Sequence, residues 1–288
     1  MSLDWNAAWR QQVLPTLVDE TWDLIVIGGG ISGAGILREA ARRGWRCLLL
    51  EQRDYAWGTS SRSSKMVHGG LRYIAKGQWR LTRDSVRERQ RLLDEAPGLV
   101  EPMSFMMPHY RGGFPGPRVL GGLLSIYDAL AGRRSHRFHD AQQLGYLAPG
   151  VKEHDLLGGT CFVDALTDDA RLVMRVLGEA RADGAVVLNG VRVQQLLREE
   201  GRVCGARVED CEGGASMQLR CRVLAVATGA WAERLRVPDA PRQLRPLRGS
   251  HLLLPGWRLP VAQAFTFLHE RDRRPVFVFP WEGATVVG

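Results

Sequence analysis

Near the start of the chain, an apolar run is followed by a helical stretch and then by a second apolar run. Residues 24–27 are apolar and β-branched and end at a glycine, which is the pattern of a buried parallel strand. Residues 34–43 then place apolar and charged positions at helical spacing, and residues 47–50 are apolar again. This order predicts a strand–helix–strand unit whose two strands run parallel.

The pattern after this unit continues as mixed α/β and then changes to short strands. Prolines are frequent between residues 100 and 160, so long helices are not expected there. From residue 242 onward, short strands with Pro and Gly boundaries predict a further sheet. The other predicted elements are an amphipathic helix over 80–95, a helix over 168–182, strands over 185–188 and 190–193, a β meander over 201–222, and a buried strand over 222–227.

The turn between the first predicted strand and helix, residues 28–33, reads GGGISG and fits G-x-G-x-x-G. Its first glycine permits a tight turn, the second lets a pyrophosphate come close, and the third lets helix and strand pack. Glu51 lies 23 positions after Gly28, where an acid accepts hydrogen bonds from a ribose 2′-OH. The glycine turn and the acid together predict a dinucleotide-binding site. Because the acid would repel a 2′-phosphate, NADP is disfavoured.

Residues 57–73, WGTSSRSSKMVHGGLRY, follow this unit directly. The stretch can place backbone N–H groups, hydroxyls and fixed positive charge along a phosphorylated cofactor, and its glycines allow close approach. A flexible linker is the alternative, but the apolar Met66, Val67 and Leu71 argue against a solvated segment.

The predicted strand over 222–227 runs into Thr228-Gly229, giving an Ala-Thr-Gly turn. Flavoproteins with two dinucleotide-binding elements return to the cofactor through such a turn. An ordinary strand-to-helix turn remains the alternative. Together with the first glycine turn, this second turn favours FAD over NAD.

Composition limits the class of protein. With 288 residues and 45% hydrophobic content, the chain can bury a substantial core. No apolar run is long enough for a transmembrane helix, and no signal peptide is evident. The five cysteines show no metal-binding spacing, which favours reduced thiols in the cytoplasm. The net charge of +8 is spread over the chain without a nucleic-acid motif, so nucleic acid is not an expected partner.

Taken together, several stretches of the chain resemble the FAD-dependent, aerobic-type glycerol-3-phosphate dehydrogenases. The stretches are DLIVIGGGISGAG, TSSRSSKMVHGGLRY, FVDALTDDARLV (162–173), ATGAW (227–231), RGSHLLLP (248–255) and VFVFPW (276–281). They occur in order across residues 22–288, and the S-S-K-x-x-H-G-G-x-R-Y segment is far more specific than the glycine turn. Flavin amino-acid oxidases share the first and the Ala-Thr-Gly features but usually lack that segment.

The resemblance implies an α/β fold: a Rossmann-like FAD-binding domain of the glutathione-reductase/D-amino-acid-oxidase type with an interleaved antiparallel β substrate domain. The expected boundaries are an N-terminal extension over 1–22, an FAD-binding domain over 23–100 and 150–240, and a substrate-binding region over 101–149 and 241–288. Similar enzymes continue beyond the motifs present here, with a further substrate-binding arginine and a glycine-rich segment over the flavin. The fold is therefore expected to be incomplete at its C-terminus.

The resemblance also implies roles for individual residues. Arg72 and Tyr73 match substrate-binding positions, and an arginine suits a phosphate because its planar fork donates two hydrogen bonds. The implied cofactor-binding residues are Gly28, Gly30, Ile31, Ser32, Gly33, Glu51, Gln52, Thr59, Ser60, Ser61, Ser64, Lys65, His68, Gly69, Gly70, Val193, Thr228 and Gly229.

The implied reaction is the FAD-dependent oxidation of sn-glycerol 3-phosphate to dihydroxyacetone phosphate, with electrons passed to quinone, or to oxygen in an oxidase. His251 and His68 are the two candidates for the base that takes the hydroxyl proton. Two other interpretations stay open. One is a flavin oxidase or dehydrogenase of an amino acid or another 2-hydroxy compound, and the other is an inactive fragment that cannot hold FAD.

Bacterial relatives are peripheral membrane proteins, so the resemblance implies a cytoplasmic protein associated with the inner membrane, and a homodimer is a further expected assembly. Residues 110–134 mix apolar residues and arginines, a composition suited to anionic lipid. Trp5, Trp9 and Trp22 could anchor at an interface, but packing on the core is the favoured interpretation.

Overall fold

The computed structural model describes residues 5–74, 77–235, 243–269 and 271–288. Its α-helices are α1 Ala7–Val13, α2 Ile31–Ala41, α3 Leu71–Ile74, α4 Trp79–Glu95, α5 Pro117–Ala131, α6 Ala141–Leu147 and α7 Asp169–Ala182. Its strands are β1 Thr21–Ile27, β2 Cys47–Leu50, β3 Met66–Val67, β4 Val100–Tyr110, β5 Arg137–Asp140, β6 Leu156–Thr167, β7 Val186–Leu188, β8 Val191–Glu199, β9 Arg202–Asp210, β10 Ser216–Val226, β11 Leu252–Pro255, β12 Ala264–Leu268, β13 Pro275–Trp281 and β14 Ala284–Val287. Short 3-10 helices lie at Leu14–Val18, Thr59–Ser61 and Gly229–Leu235.

The chain divides into two compact units, and each is made of two separate segments. The first unit contains the residues up to Ser63 together with Asp168–Leu247, and the second contains Ser64–Thr167 with Arg248–Gly288. Residues 64–100 and 150–167 were expected in the FAD-binding domain, but the structure places them in the second unit. The reason is that β6 pairs with β3, β4 and β5, which ties these segments into one sheet.

The first unit is built on a sheet with the strand order β7-β2-β1-β10-β9-β8 among its described residues. β7, β2, β1 and β10 run parallel, and the β8–β9–β10 meander is antiparallel. β1 is central and its Ile25 and Val26 are fully buried. Each such side chain stabilises the fold by about 1.5–3 kcal/mol. The parallel strands confirm the predicted strand–helix–strand unit, and the antiparallel strands confirm the predicted meander.

α7 shows why the local sequence sets a helix boundary. Asp168 is the N-cap residue, and its side chain accepts a hydrogen bond from the N–H of Arg171 at 3.0 Å. Asp169 lies in the first turn, where a carboxylate is favoured by the helix dipole. The helix ends at Ala182, as predicted.

The second unit is built on a sheet with the strand order β11-β14-β13-β12-β4-β6-β3, to which β5 is added beside β6, within the residues that the structure describes. Except for the parallel β12–β4 pair, these strands run antiparallel. Phe105, Phe162 and Phe279 lie in its buried core. The short strands predicted from residue 242 onward are therefore present.

The expectation that residues 100–160 would lack long helices is wrong at α5, which is 15 residues long. Pro117 occupies the first turn, where a missing N–H costs no helical hydrogen bond, and Gly116 is the N-cap residue. The helix ends at Ala131, and its C-cap residue Gly132 has a positive φ of 65°. Proline therefore starts this helix instead of preventing it.

The N-terminal tryptophans pack on the core of the first unit, which confirms the favoured interpretation. Trp22 is buried, and its indole N–H donates to the carbonyl oxygen of Leu17 at 3.2 Å. Trp5 and Trp9 pack against buried clusters and both face the guanidinium of Arg181.

Cys47, Cys161, Cys204, Cys211 and Cys221 are free cysteines in the structure. Within the described ranges, none of the helices combines the length and the apolar character that crossing a bilayer requires.

Candidate functional site

The glycine turn after β1 lies directly beside the Ala-Thr-Gly turn after β10. The N–H of Ala227 donates to the carbonyl oxygen of Ile27 at 2.8 Å. Gly28 has a φ of +112°, and a Cβ at Gly28 would lie 2.6 Å from the carbonyl oxygen of Ala227. Only glycine permits this close approach of the two turns. The structure therefore brings together the two elements that the sequence analysis linked.

The other two glycines of the turn shape the start of α2. A Cβ at Gly33 would lie 1.9 Å from the carbonyl oxygen of Gly28, so the helix packs directly against the turn. Gly30 is the N-cap residue of α2. The hydroxyl of Ser60 accepts a hydrogen bond from the N–H of Ile31 at 3.0 Å. Ser60 thus caps the helix end that favours anions.

Glu51 is held by backbone amides on both carboxylate oxygens. Oε2 accepts from the N–H of Gly29 at 2.8 Å, and Oε1 accepts from the N–H of Arg53 at 2.9 Å. A carboxylate has about four acceptor positions, so two remain for ribose hydroxyls. The predicted ribose-binding acid is therefore fixed in place and still able to accept.

Thr228 carries a buried hydroxyl that has no hydrogen-bond partner among the residues the structure describes. Its Cα is 3.3 Å from the Cβ position of Gly28, so it borders the glycine turn. A buried unpaired hydroxyl costs about 1–3 kcal/mol. A ligand with a polar group at this turn would satisfy it.

The remaining predicted residues of the first unit border these turns or lie in the meander sheet. Ser32 is exposed in the first turn of α2, Gln52 is exposed after β2, and Gly229 follows Thr228 with a φ of +54°. Thr59 and Ser61 form the 3-10 turn that carries Ser60. Val193 is half-buried in β8, opposite Val208 of β9.

In the second unit, the short strand β3 pairs with β6 and so fixes the position of the residues just before it. The carbonyl oxygen of Lys65 accepts from the N–H of Thr167 at 2.8 Å. The Lys65 ammonium lies 4.7 Å from the ring centroid of Trp281, within cation–π range. Ser64 is half-buried just before this strand.

His68, Gly69 and Gly70 follow β3, and Asp164 of β6 holds the first two. Nδ1 of His68 lies 3.0 Å from Oδ2 of Asp164, and the N–H of Gly69 donates to Oδ1 at 3.1 Å. Gly70 has a φ of +82° and packs against the ring of Tyr73. The structure therefore anchors the predicted His-Gly-Gly segment to a single carboxylate.

Two more side chains complete this cluster. Arg89 donates to Oδ1 of Asp164 at 2.7 Å and to the hydroxyl of Tyr127. The Tyr127 hydroxyl donates to the same Oδ1 at 3.3 Å. Burial, and then the charge of Asp164, raises the pKa of Tyr127 well above its usual range, so its phenol stays protonated.

Sequence reasoning gave no role to Asp164, Arg89 or Tyr127. Arg89 lies on the buried face of α4 with Thr82 and Val86, at helical spacing. A charged residue at helical spacing from the apolar Val86 is the signal that could have identified it. Asp164 lies within the 162–173 motif, but its separation of 96 positions from His68 conceals the pairing.

The predicted substrate residues are only partly placed. The backbone of Arg72 is in α3, but its side chain lies outside the described residues. Tyr73 is half-buried, and its N–H donates to the carbonyl oxygen of Gly70 at 2.8 Å. His251 is exposed just before β11 and lies against Gly288.

Comparison with known proteins agrees with this geometry. The model of the FAD dependent oxidoreductase family matches residues 23–288. The chain belongs to this family. Proteins with related sequences include glycerol-3-phosphate dehydrogenase 2 of Mycobacterium tuberculosis, 37% identical over 98% of this chain and 48% of its own length. The aerobic glycerol-3-phosphate dehydrogenase of Bacillus subtilis is 36% identical over 100% of this chain and 53% of its own length.

Solved structures with the same fold include two dehydrogenases. The glycerol-3-phosphate dehydrogenase of Bacillus halodurans, complexed with FAD, superposes with a TM-score of 0.76 at 30% identity over 97% of this chain and 49% of that chain. The L-proline dehydrogenase of P. horikoshii superposes with a TM-score of 0.69 at 17% identity, which shows the fold alone. The chain spans about half the length of the curated relatives it matches.

The residues of the first unit fit the cofactor of this family. The glycine turn is packed so tightly that a Cβ at Gly28 or Gly33 would meet backbone atoms, and the buried, unpaired hydroxyl of Thr228 borders it among the residues that the structure describes. Glu51 retains acceptor positions for a ribose.

Proposed function

We propose that this chain binds FAD and takes part in the oxidation of sn-glycerol 3-phosphate to dihydroxyacetone phosphate, with quinone as the electron acceptor. The observation that carries the proposal is its 34–37% identity to glycerol-3-phosphate dehydrogenases over at least 97% of the chain. The amino-acid-oxidising neighbours are only 14–20% identical, so they support the fold and not a substrate.

The first unit provides the residues that would hold the cofactor. Gly28 and Gly30 allow a pyrophosphate to approach the backbone, and the N-terminus of α2 favours its charge. Glu51 would accept hydrogen bonds from the adenosine ribose, and Thr228 would donate its unpaired hydroxyl. Bound FAD supplies a hydride acceptor.

The remaining predicted cofactor contacts belong to the same proposal. Ser60 and Ser61 of the 3-10 turn would follow the cofactor phosphates, and Ser64 and Lys65 would continue this line. His68 would lie near the flavin, and Val193 would contact the adenine.

The substrate contacts are proposed from the motif around α3. Arg72 would bind the substrate phosphate as a bidentate donor, and Tyr73 would add a hydrogen bond. His68 and His251 are the two candidates for the base. His68 is favoured because a buried carboxylate already fixes its ring, whereas His251 is exposed at the edge of the sheet.

A membrane-associated form is proposed to deliver electrons to quinone. Its support is a surface around α5 on which Phe114, Val119 and Ile126 are exposed beside arginines 111, 118, 133 and 134. Exposed apolar and cationic side chains together suit an anionic lipid surface at the cytoplasmic side of the inner membrane. In a flotation assay, the chain should rise with anionic vesicles and should not rise with neutral vesicles. Size-exclusion chromatography tests the proposed homodimer.

Absorbance and turnover test the proposed reaction. Purified protein should show the flavin band near roughly 450 nm and should reduce a soluble quinone with glycerol 3-phosphate but not with glycine or D-amino acids. Arg72→Ala should abolish turnover and leave the flavin band unchanged. Protein without flavin, or turnover confined to amino acids, would contradict the proposal. Peroxide release instead of quinone reduction would overturn the proposed acceptor.

A further inference from the structure

Asp164 is 3% exposed, and donors from three segments of the chain surround its carboxylate. Oδ1 accepts from Arg89 at 2.7 Å, from the N–H of Gly69 at 3.1 Å and from the Tyr127 hydroxyl at 3.3 Å. Oδ2 faces Nδ1 of His68 at 3.0 Å. The positive charge of Arg89 balances the buried carboxylate.

We propose that Asp164 is a positioning residue that keeps the proton of His68 on Nδ1 and leaves Nε2 free to accept a proton. A carboxylate only accepts hydrogen bonds, so the contact to Oδ2 requires a proton on Nδ1. A neutral imidazole carries one ring proton, and Nε2 is therefore the acceptor. Nothing in the similarity to known proteins assigns Asp164 a role.

The surroundings of the pair keep this geometry fixed. Asp164 cannot rotate without losing the donors on Oδ1, and a Cβ at Gly69 would lie 1.9 Å from the Tyr127 hydroxyl oxygen, so the glycine is required. The ring of His68 packs 5.5 Å from that of Phe277, measured between centroids. Such a preorganised carboxylate–histidine pair holds both the tautomer and the ring orientation.

The pair also has the exposure that a proton acceptor needs. The side chain of His68 is 41% exposed, whereas that of Asp164 is 4% exposed. The ring therefore connects a buried carboxylate to the surface of the second unit. After protonation at Nε2, the imidazolium would be stabilised by the carboxylate at Nδ1.

The identity of the proton rests on the proposed function. Nε2 would take the proton as the O–H bond of the substrate C2 hydroxyl breaks, and bound FAD would supply the acceptor for the C2 hydrogen, which leaves with two electrons as hydride. The carbonyl bond of the product forms from the remaining electron pair on oxygen. Atoms, charge and electrons balance with no further reactant.

The tautomer of His68 can be measured without substrate or cofactor. In the chain labelled with ¹⁵N-histidine, long-range ¹H–¹⁵N spectra distinguish the two ring nitrogens, and His68→Gln assigns the signal. His109 is an internal reference for the tautomer with a proton on Nδ1. Its Nδ1 lies 3.0 Å from the carbonyl oxygen of Pro115, which can only accept a hydrogen bond. His68 should show the proton on Nδ1.

Two variants test the cause. Asp164→Asn can donate to Nδ1 and should move the His68 proton to Nε2, whereas the matched Tyr127→Phe should leave the tautomer unchanged. Unchanged His109 signals confirm that each variant is folded. If Asp164→Asn does not fold, the tautomer of His68 in the wild type still tests the proposal. A proton on Nε2 in the wild type, or an unchanged tautomer in folded Asp164→Asn, would overturn the proposal.

Kinetics separate this inference from the proposed function. In protein that oxidises glycerol 3-phosphate, Asp164→Asn should lower kcat by about 10²–10⁴-fold with little change in KM. An unchanged kcat despite a moved proton would refute the positioning role. Absence of glycerol 3-phosphate oxidation in the wild type would refute the proposed function and leave the tautomer result intact.

Discussion

Gly33 packs against Gly28 backbone to backbone, so that a Cβ on Gly33 would lie 1.9 Å from the Gly28 carbonyl oxygen. The first turn of α2 is thereby pressed onto the turn that follows β1. Since no side chain separates the two, neither can move without the other. The N–H groups at the start of the helix are fixed relative to the glycine turn.

Gly33→Ala should therefore destabilise the chain and weaken FAD binding. Its methyl group meets backbone atoms, which cannot rotate away, and we expect a loss of about 1–3 kcal/mol in the free energy of unfolding. Gly35→Ala is the matched control, because nothing lies within 4 Å of a Cβ there. This control should gain about 0.5–1 kcal/mol from its higher helix propensity. Urea unfolding of both variants measures the difference, and equal stabilities would contradict the packing described here.

Thr228→Val should separate stability from cofactor affinity. Removing the unpaired hydroxyl should raise the free energy of unfolding of FAD-free protein by about 1 kcal/mol, yet weaken FAD binding by about tenfold, the value of one hydrogen bond. Thr285→Val is the control, since its hydroxyl donates to Leu259 at 2.6 Å. That variant should lose stability. An FAD titration in which Thr228→Val binds like the wild type would show that the hydroxyl does not meet the cofactor.

The stability of the chain should depend on the titration of His109. Burial lowers the pKa of His109 below its ordinary value of 6.5. Below pH 6.5 the unfolded chain therefore binds a proton that the folded chain does not, and stability is lost as the pH falls toward the folded pKa. The slope is at most about 1.4 kcal/mol per pH unit. His109→Gln should show a smaller loss between pH 7 and pH 5 in denaturant unfolding, and parallel curves would exclude this contribution.

Thiol labelling should distinguish exposed from buried cysteines. Burial, aided by the charge of Asp23, raises the pKa of Cys47 to about 11, and burial raises that of Cys221 to about 11. At pH 8 only about one in a thousand of these thiols is ionised. Cys211 is exposed and should give the fast phase with Ellman's reagent. Cys211→Ser should remove that phase, and fast labelling of Cys47 in folded protein would contradict its burial.

Much of the first unit could be predicted from sequence because its signals are local. The glycine turn, α2 and Glu51 lie within one strand–helix–strand unit. The spacing of the glycines indicates directly where backbone segments approach each other closely. The two backbone amides on Glu51 could not be foreseen, because a carboxylate at that position shows only that it accepts hydrogen bonds.

The cluster around His68 was not predictable in the same way. Asp164, Arg89 and Tyr127 come from β6, α4 and α5, and no short motif relates their spacing. The sequence does not indicate α5, because frequent prolines such as Pro115 and Pro117 are typical of segments without long helices, although proline fits the first turn of a helix. Tertiary packing brings the cluster around His68 together, whereas α5 depends on the local position of Pro117 at the start of the helix.

The position of β1 between β2 and β10 constrains how the chain is made. Ile27 pairs with Val226, so the central strand leaves the ribosome long before one of its two neighbours exists. At about 5–20 residues per second, translation leaves that strand edge uncovered for roughly 10–40 s. An uncovered apolar strand invites pairing with other nascent chains. The long insertion between the two halves of this sheet therefore prolongs the time in which the nascent chain exposes an apolar strand edge.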